Sequence, residues 1–514
     1  MQQADESDHA RHLRRAVVAS AVGTAIEWYD FFLYGTLAGL VFAKAFFPGS
    51  DPLVGTLEAF GVYAVGFVAR PVGAAIFGHF GDRIGRKSAL VATLLLMGIA
   101  TFAVALVPTY GSIGVWGGVI LTVLRFVQGV GVGGEWGGSV LLAMEWSRSR
   151  ASRGFVASWP QFGVPCGLLL ANLVVLATSK LTGAAFVVWG WRIPFLLSAL
   201  LVGVGLWIRL GILETPVFAK LLRENKVERA PILEAFRRQP REIALSALAR
   251  LAEQTPFYIF TAFVFSYAKL AALPVSRDFL LLAVLAASVV ELVTIPLAGY
   301  VSDRLGRKRT YAVGAAAVGV FAFAYFALLR TGSPALVFAA VVLSLVPHAL
   351  MYGPQAALIA ESFTGRLRYS GASLGYQLAS VVAGGPAPLL ATWLFARTGT
   401  PYAIAGYIAV CSALTLVSVG FMKDHTGRDI EQTSIEPHEK AFNPGRSALT
   451  PTHESDLHGP SRARGCGEGD RLELRGGRAI RGARQLGAQD LDPRGENGFS
   501  RAAPPRRKPS TKGR

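Results

Sequence analysis

Charged residues are scarce in this sequence and unevenly distributed. They make up 16% of its 514 residues, whereas soluble globular proteins carry about 25%. Four long runs contain no Asp, Glu, Lys or Arg at all, and these are 88–124, 154–179, 369–396 and 398–422. A helix needs about 20 apolar residues to cross the hydrocarbon core of a bilayer. The runs therefore predict a polytopic membrane protein and exclude a soluble enzyme or a DNA-binding domain as a reading of the whole chain.

Cysteines and motifs for enzyme chemistry are also few. Three scattered cysteines, Cys166, Cys411 and Cys466, provide neither a disulfide framework nor a zinc site. A GxGxxG string at 129–134 lies inside an apolar span instead of between a strand and a helix, so it indicates close helix packing and no dinucleotide site. The string GDRIGRKS at 81–88 lacks the glycine spacing of a phosphate-binding loop. We therefore expect no enzyme activity, no cofactor, no metal and no nucleic-acid partner.

The apolar runs, read against their charged and Gly/Pro interruptions, predict an all-α fold of twelve transmembrane helices. An even number of helices places both chain termini on one side of the bilayer. The predicted spans lie near 16–43, 56–79, 89–107, 113–141, 155–178, 189–211, 243–270, 279–300, 311–329, 334–357, 370–396 and 400–422. The predicted organisation is an N-terminal segment 1–15, a six-helix bundle 16–211, a basic central loop 212–242, a second six-helix bundle 243–422 and a tail 423–514.

Lys and Arg in the loops set the predicted orientation. One face carries 22 of them, including Arg148 and Arg150, and the opposite loops carry 6. Since positively charged loops stay in the cytoplasm, both termini and the central loop are predicted to be cytoplasmic. The tail has 18 basic and 13 acidic residues and no apolar periodicity, so we expect it to be disordered. Its composition would also fit a frame-shifted reading.

A ten-residue pattern occurs once in each half of the chain. Gly78–Lys87 and Gly299–Lys308 both read GxxxDRxGRK, and each follows the second span of its half, so that the two aspartates lie 221 positions apart. A repeated six-span half is typical of transporters that hold their substrate site between two bundles. The pattern therefore predicts two similar bundles around a central cavity.

These loops resemble those of the major facilitator superfamily. Further segments sharpen the resemblance to its metabolite:proton symporter family, and these are TAIEWYDFFLYG (24–35), ARPVGAAIFGHFGDRIGRK (69–87), RFVQGVGVGGEWGGSVLLAMEW (125–146), SWPQFGVP (158–165) and 189–218. Members of that family carry citrate, α-ketoglutarate, shikimate, and proline or betaine inward with protons. The resemblance implies that the repeated loops are gating latches, formed by Asp82, Arg83, Arg86, Asp303, Arg304 and Arg307.

Ionisable side chains within spans are costly and are therefore functional candidates. Glu27 and Asp30 share one face of the first helix, where two close carboxylates favour one holding a proton. Arg125 and Glu135 lie about 15 Å apart along the fourth helix, too far to form a direct pair. Arg125 opens RFVQG, which resembles the superfamily's RxxQG signature, whose arginine is associated with proton transfer. The predicted proton-coupling residues are therefore Glu27, Asp30, Arg125 and Glu135, with purely structural networks as the alternative.

Other buried polar residues are predicted to contact substrate. Arg70 is either a substrate cation or the counter-charge of Asp30, and Arg250 can pair with Glu253 at i,i+3 spacing. Glu291 and His348 are weaker candidates, for which packing is favoured over proton relay. The predicted substrate-binding residues are Arg70, Trp28, Tyr34, Glu253, Tyr258 and Gln377, with Tyr376 as a further neutral contact.

The expected function is uptake of a small polar metabolite, in the first place an organic acid, with protons and by alternating access. Arg70 and Arg125 favour an acid over a zwitterionic osmolyte such as proline or betaine. A membrane sensor that binds without carrying and a drug/proton antiporter are further alternatives. The protein is expected to act as a monomer in the bacterial cytoplasmic membrane, with the bilayer, the substrate and protons as its partners. The substrate, the stoichiometry and the choice between protons and sodium stay open.

Overall fold

The structure is a computed structural model that describes residues 2–50, 52–147, 149, 151–224 and 230–427. All of them belong to the unit Met1–Ser447, and the second unit, Ala448–Arg514, lies outside the described residues. Most of the tail predicted to be disordered, 428–514, therefore lies outside them, as do Arg148 and Arg150 of the orientation argument.

Apolar runs form long helices, as predicted. Among the described residues, eleven helices are long and apolar enough to cross a membrane. The remaining predicted span, the seventh (243–270), is also present, but it is divided into short helices. In chain order the spans are α1 Gln2–Leu37, α2 Pro52–Ile84, α3 Arg86–Leu106, α4 Trp116–Glu145, α5 Arg153–Thr182, α6 Arg192–Leu210, α7 Pro240–Ala249 with Leu251–Tyr258 and Val264–Leu270, α8 Arg277–Leu305, α9 Arg307–Arg330, α10 Pro334–Ala360, α11 Arg368–Ala379 with Ala387–Thr398, and α12 Tyr402–Phe421.

Three π-helical turns lie within or directly after the spans. These turns are Ala38–Phe42, which follows α1, Ile259–Phe263 inside α7, and Ser380–Gly384 inside α11. Such turns are rare and are found frequently at functional sites. The division of α7 falls at Arg250, which ends one short helix and precedes the next.

The helices pack as two six-helix bundles, α1–α6 and α7–α12, which confirms the predicted fold class. Contacts between the bundles run along α5 with α8 and α10, and along α2 with α11. The central loop contains two short helices, Pro216–Arg223 and Pro231–Arg238. The polar N-terminal segment is not separate from the first span, because α1 is helical from Gln2 onward.

The repeated loops form sharp junctions between consecutive helices. Gly85 separates α2 from α3 with φ +115°, and Gly306 separates α8 from α9 with φ +96°. A side chain at either position would strain the backbone, because L-residues rarely adopt positive φ. This explains why the second glycine of GxxxDRxGRK recurs in both halves.

Candidate functional site

The two repeated aspartates each cap a helix of the opposite bundle. Asp82, at the end of α2, accepts hydrogen bonds from the backbone N–H of Tyr369 (3.3 Å) and Ser370 (2.8 Å) at the start of α11. Asp303, at the end of α8, accepts from Gly154 and Phe155 at the start of α5, both at 2.8 Å. A carboxylate at a helix N-terminus satisfies unpaired N–H groups and the helix dipole. These contacts hold the bundles together at the end where the repeats lie, which we call the repeat end.

Two matching groups of buried charges surround these caps. In the first, Arg86 lies 3.2 Å from Asp82 and 3.5 Å from Glu145, and Arg368 of the other bundle lies 3.8 Å from Glu145. The Arg368–Glu145 pair therefore joins α11 of the second bundle to α4 of the first, whereas the Arg86–Glu145 pair joins α3 to α4 within the first bundle.

The second group repeats this arrangement with the bundles exchanged. Arg307 lies 3.4 Å from Asp303 and 3.0 Å from Glu361, and Arg153 of the first bundle lies 3.1 Å from Glu361. Each group thus ties the bundles together with one aspartate cap and one arginine–glutamate pair.

Two of the predicted latch residues lie outside these groups. Arg83 and Arg304 are exposed, and Arg304 lies over the ring of Tyr300, 4.5 Å from its centroid. Their positions fit simple positive-inside anchoring. Conversely, the sequence interpretation did not assign Glu145, Arg153, Glu361 or Arg368 to the latch. The signal was present, since each glutamate lies at the C-terminal end of the fourth span of its half and each arginine begins the fifth.

Arg125 begins a hydrogen-bond chain in the centre of the first bundle. Its Nη1 donates to Gln128 (3.0 Å), whose amide donates to Thr101 (2.7 Å). Its guanidinium lies 4.3 Å from the ring centroid of Tyr34 and 5.0 Å from that of Tyr63. Within the described part of the chain, its Nε and Nη2 have no hydrogen-bond partner.

Arg70 is enclosed by aromatic rings in a similar way. Its guanidinium lies 4.4 Å from the ring centroid of Phe31, 4.6 Å from that of Phe67 and 5.5 Å from that of Trp28. Among the described residues, its Nε and Nη2 lack hydrogen-bond partners, and no ion pair joins it to Asp30. The arrangement offers donors for an anion and does not use Arg70 as the counter-charge of Asp30.

Both carboxylates of α1 are buried beside these arginines. Asp30 interacts electrostatically with Arg125 and lies next to Thr101, but neither of its oxygens has a hydrogen bond of ordinary geometry within the described residues. Glu27 lies within electrostatic reach of Arg70 and of the Glu135–Arg209 pair. The structure thus places Glu27, Asp30, Arg70 and Arg125 within electrostatic reach of one another.

Glu135 is instead enclosed in a saturated network. It is ion-paired to Arg209 of α6 and accepts hydrogen bonds from Thr93 (2.9 Å) and Ser139 (2.8 Å). Arg209 also donates to the carbonyl oxygen of Leu90 at 2.5 Å. This favours the structural alternative for Glu135. Sequence reasoning missed Arg209, because only the folded bundle brings this residue of α6 to Glu135 of α4.

The second bundle places Arg250 at the interface between the bundles. Arg250 and Glu253 form the expected pair, with 3.1 Å between Nη2 and Oε2. The guanidinium stacks on Tyr376, 3.2 Å from the ring centroid, and also donates to the Tyr376 carbonyl. The Tyr376 ring stacks in turn on Trp136 of the first bundle at 3.7 Å.

A cavity lies between the bundles next to this stack. It is lined by Trp28, Val164, Arg250, Glu253, Gln254, Phe257, Tyr258, His348, Tyr352 and Tyr376. Three predicted substrate contacts, Trp28, Glu253 and Tyr258, therefore face one space. Gln377 does not line it and donates to the carbonyl oxygen of Gly133 across the interface at 3.4 Å.

Comparisons with known proteins agree with this architecture. Residues 16–243 match the family described as Sugar (and other) transporter, and residues 270–453 match Major Facilitator Superfamily. The inner membrane metabolite transport protein YhjE of Escherichia coli K12 is 41% identical, over 79% of this chain and 93% of the relative. The shikimate transporter of the same strain is 39% identical, over 80% and 94%, and its proline/betaine transporter is 32% identical, over 82% and 85%. Among solved structures, the proton:xylose symporter XylE bound to 6-bromo-6-deoxy-D-glucose has a TM-score of 0.69 at 18% identity, covering 83% of this chain and 99% of that one.

Proposed function

The chain belongs to the major facilitator superfamily, and we propose that it takes up a small organic acid together with protons. That it is a multi-pass membrane transporter and not an enzyme follows from the family. The observation that carries the finer proposal is the pair of buried arginines, Arg70 and Arg125, each with two unpartnered N–H-bearing nitrogens among the described residues.

A carboxylate is the ligand that satisfies such donors best. Guanidinium groups bind carboxylates through two parallel hydrogen bonds, and charged hydrogen bonds are about twice as strong as neutral ones. The aromatic rings around Arg70 and Arg125 hold the guanidinium planes without using their N–H groups. Both side chains are therefore positioned in advance for an anion.

Asp30 is the group we assign to the coupled proton. A buried carboxylate without good hydrogen bonds is costly when ionised, so it favours either a proton or a nearby cation. Protonation of Asp30 would release Arg125 to bind the substrate carboxylate, and substrate departure would let Arg125 stabilise the deprotonated form. Proton and anion would then bind together, which is the requirement for symport.

Alternating access would proceed through the repeat end. The caps at Asp82 and Asp303 and their two arginine–glutamate pairs close that end, and opening it would break all of them together. A set of contacts that forms or breaks as a unit gives two discrete states. We place this end and both termini in the cytoplasm on the basis of the loop charges, and the protein in the bacterial cytoplasmic membrane as a monomer.

The relatives support a metabolite of this kind, and the cavity also supports one alternative. The acid in the printed name of the shikimate transporter fits the two arginines. A zwitterionic osmolyte is the second candidate, because Glu253 and aromatic rings line the cavity and the proline/betaine transporter is a relative.

Uptake into liposomes tests the proposal. The full chain would be reconstituted and offered labelled shikimate, α-ketoglutarate, citrate, benzoate, proline and betaine, with and without an inward proton gradient. Accumulation of an acid that collapses with a protonophore is the expected result. Accumulation of proline or betaine alone would replace the acid by an osmolyte, accumulation driven only by sodium would replace the coupling ion, and binding without accumulation would indicate a sensor.

A further inference from the structure

Three ionisable side chains meet inside the second bundle, away from the arginines of the first. His348 of α10 places its Nδ1 2.7 Å from Oε1 of Glu291 on α8. Its Nε2 lies 3.6 Å from Oε1 of Glu253 on α7, just beyond hydrogen-bond length. All three side chains are buried, with 4% or less of each residue exposed. One imidazole thus lies between two carboxylates from two different helices.

The surrounding groups do not balance these charges. Arg250 is the only cation that pairs with either carboxylate in the described part of the chain, through Glu253. The other polar neighbours are neutral and come from α7, α9, α10 and α11, namely Gln355, Tyr311, Tyr352, Tyr376 and Tyr258. With a neutral imidazole the cluster therefore carries one net negative charge. A buried, uncompensated charge is strongly destabilising.

One proton removes this imbalance. If it resides on the imidazole, two positive groups face two negative ones, and both close carboxylate contacts of His348 become attractive. The cluster is also unsuited to a metal ion, since no group of three or more His, Cys, Asp or Glu among the described residues is placed to hold one. The neighbouring guanidinium of Arg250 further disfavours a metal cation.

The proton has access to the space between the bundles. His348 and Glu253 both line the central cavity, opposite Trp28 of the first bundle. Nδ1 is held by Glu291, whereas Nε2 has no hydrogen-bond partner among the described residues. A group on the wall of a cavity that opens alternately to each side can load a proton on one side and release it on the other.

We propose that His348, Glu291 and Glu253 form a second proton-binding site, so that each transport cycle carries one proton here in addition to the one at Asp30. The proposal rests on the proposed proton-coupled uptake. A singly charged acid would then enter with two protons and one net positive charge, and an inside-negative membrane potential would drive its uptake. The proton is bound from the outer water and released to the inner water, and no other bond changes.

The variants differ in the net charge that they leave on the cluster and Arg250. In Glu291→Gln, Arg250 and Glu253 balance each other with neutral His348, so the site needs no proton and the fold keeps a neutral interior. In His348→Gln, two carboxylates face one cation, so lower stability is expected. The double variant restores the balance, and it should regain the stability lost in His348→Gln. Asp278→Asn, at the exposed start of α8, is the matched control.

Equilibrium accumulation measures the number of protons. With the membrane potential clamped at zero by valinomycin and equal potassium, the substrate ratio across the liposome changes about 10-fold per pH unit for each coupled proton. We expect about 100-fold for the wild type and for Asp278→Asn, but about 10-fold for Glu291→Gln. If the substrate ratio changed equally per pH unit in the wild type and in Glu291→Gln, the second proton site would be overturned and the proposed function would stand. Substrate exchange without a gradient, measured alongside, shows that each variant is folded and able to cycle.

A second readout does not depend on transport. Infrared difference spectra of the solubilised protein between acidic and alkaline pH would contain an imidazole signal that His348→Gln/Glu291→Gln lacks. If no substrate is accumulated with protons, the proposed function fails, and the spectra still decide whether this site binds a proton. The absence of any signal assignable to His348 would overturn the inference.

Discussion

Asp82 of the first bundle lies 2.8 Å from the backbone nitrogen of Ser370 in the second. The same relationship recurs between Asp303 and Gly154, also at 2.8 Å, with the bundles exchanged. The sequence repeat is therefore also a contact repeat, in which each half of the chain supplies the cap for a helix of the other half.

Removing one cap should favour opening of the repeat end. Asp82→Asn retains an oxygen acceptor but loses the charge that favours the N-terminus of α11, and loss of an N-cap costs about 0.5–2 kcal/mol. Spin labels at Ile84→Cys and Leu305→Cys, both exposed and at corresponding helix ends, would report the separation of the bundles in a background without native cysteines. We expect a larger population of long distances for Asp82→Asn, whereas exposed Arg83→Gln should leave the distribution unchanged. An unchanged distribution in Asp82→Asn would show that the cap does not hold the closed state.

Breaking the pair between Glu135 and Arg209 should destabilise the first bundle. Removal of one partner leaves a buried charge uncompensated, at a cost of about 3–5 kcal/mol. Glu135→Gln and Arg209→Gln should each lower the melting temperature of the solubilised protein, and the double variant should be less affected than the two losses added together. If Glu135→Gln melts like the wild type but no longer accumulates substrate, Glu135 carries a proton and is not a structural partner.

Arg70 and Arg125 of the first bundle should both contribute to binding the carboxylate of the substrate acid. Arg125→Lys and Arg70→Lys keep the charge but lose the planar fork that binds a carboxylate through two hydrogen bonds. Loss of one charged hydrogen bond is worth about 1.5–3 kcal/mol, so KM for the acid should rise about tenfold or more. Arg397→Lys, on an exposed helix end, serves as the control. Unchanged KM in both Arg125→Lys and Arg70→Lys would remove these arginines from the substrate site.

The start of the tail should stabilise the second bundle. The backbone N–H of Arg307 donates to the hydroxyl of Thr426 at 3.0 Å, and Asp424 accepts from the N–H of Thr426 at 2.9 Å. Glu214 caps α3 in the corresponding place, accepting from the N–H groups of Arg86 and Lys87, both at 3.1 Å. Thr426→Ala and Asp424→Asn should therefore each cost about 1 kcal/mol, read as a lower melting temperature, while exposed Lys423→Gln should have little effect. Equal melting temperatures for all three would show that the tail contributes no cap.

The pH dependence of this cap follows from Asp424. Burial would raise its pKa, but hydrogen bonds from Thr426 and the charge of Arg307 outweigh burial and hold the pKa below its ordinary value. A depressed pKa means that the carboxylate stabilises the fold at neutral pH and loses this effect as the pH falls through the lowered value. The stability difference between the wild type and Asp424→Asn should thus be constant near neutrality and disappear only below about pH 4.

Much of the fold could be predicted from the sequence, because a bilayer imposes length and polarity on each helix. The spans, the repeat and the shared helix face of Glu27 and Asp30 depend on such local patterns. The pair of Arg250 with Glu253 could likewise be predicted from their i,i+3 spacing alone.

The missing residues depend on contacts between distant helices. Nothing near Arg209 in sequence indicates Glu135 as its partner, since 74 residues separate them. His348 and Glu291 are 57 residues apart and come together only when α8 packs against α10. The division of α7 at Arg250 was also hidden, because its apolar composition resembles that of a continuous span. The arginine–glutamate pairs of both latch groups, by contrast, lie at equivalent span ends and could have been found by aligning the two halves.

Proton movement driven by substrate tests the central claim most directly. If coupling is real, an outward gradient of acid must carry protons outward, because linkage between two ligands is reciprocal. Liposomes loaded with the acid identified by uptake and containing a pH-sensitive dye should become alkaline inside with the wild-type protein. Asp30→Asn should exchange labelled acid across the membrane at no proton gradient and yet move fewer protons per acid molecule. Equal proton movement in the wild type and Asp30→Asn, or acid efflux without any change in internal pH, would contradict the account.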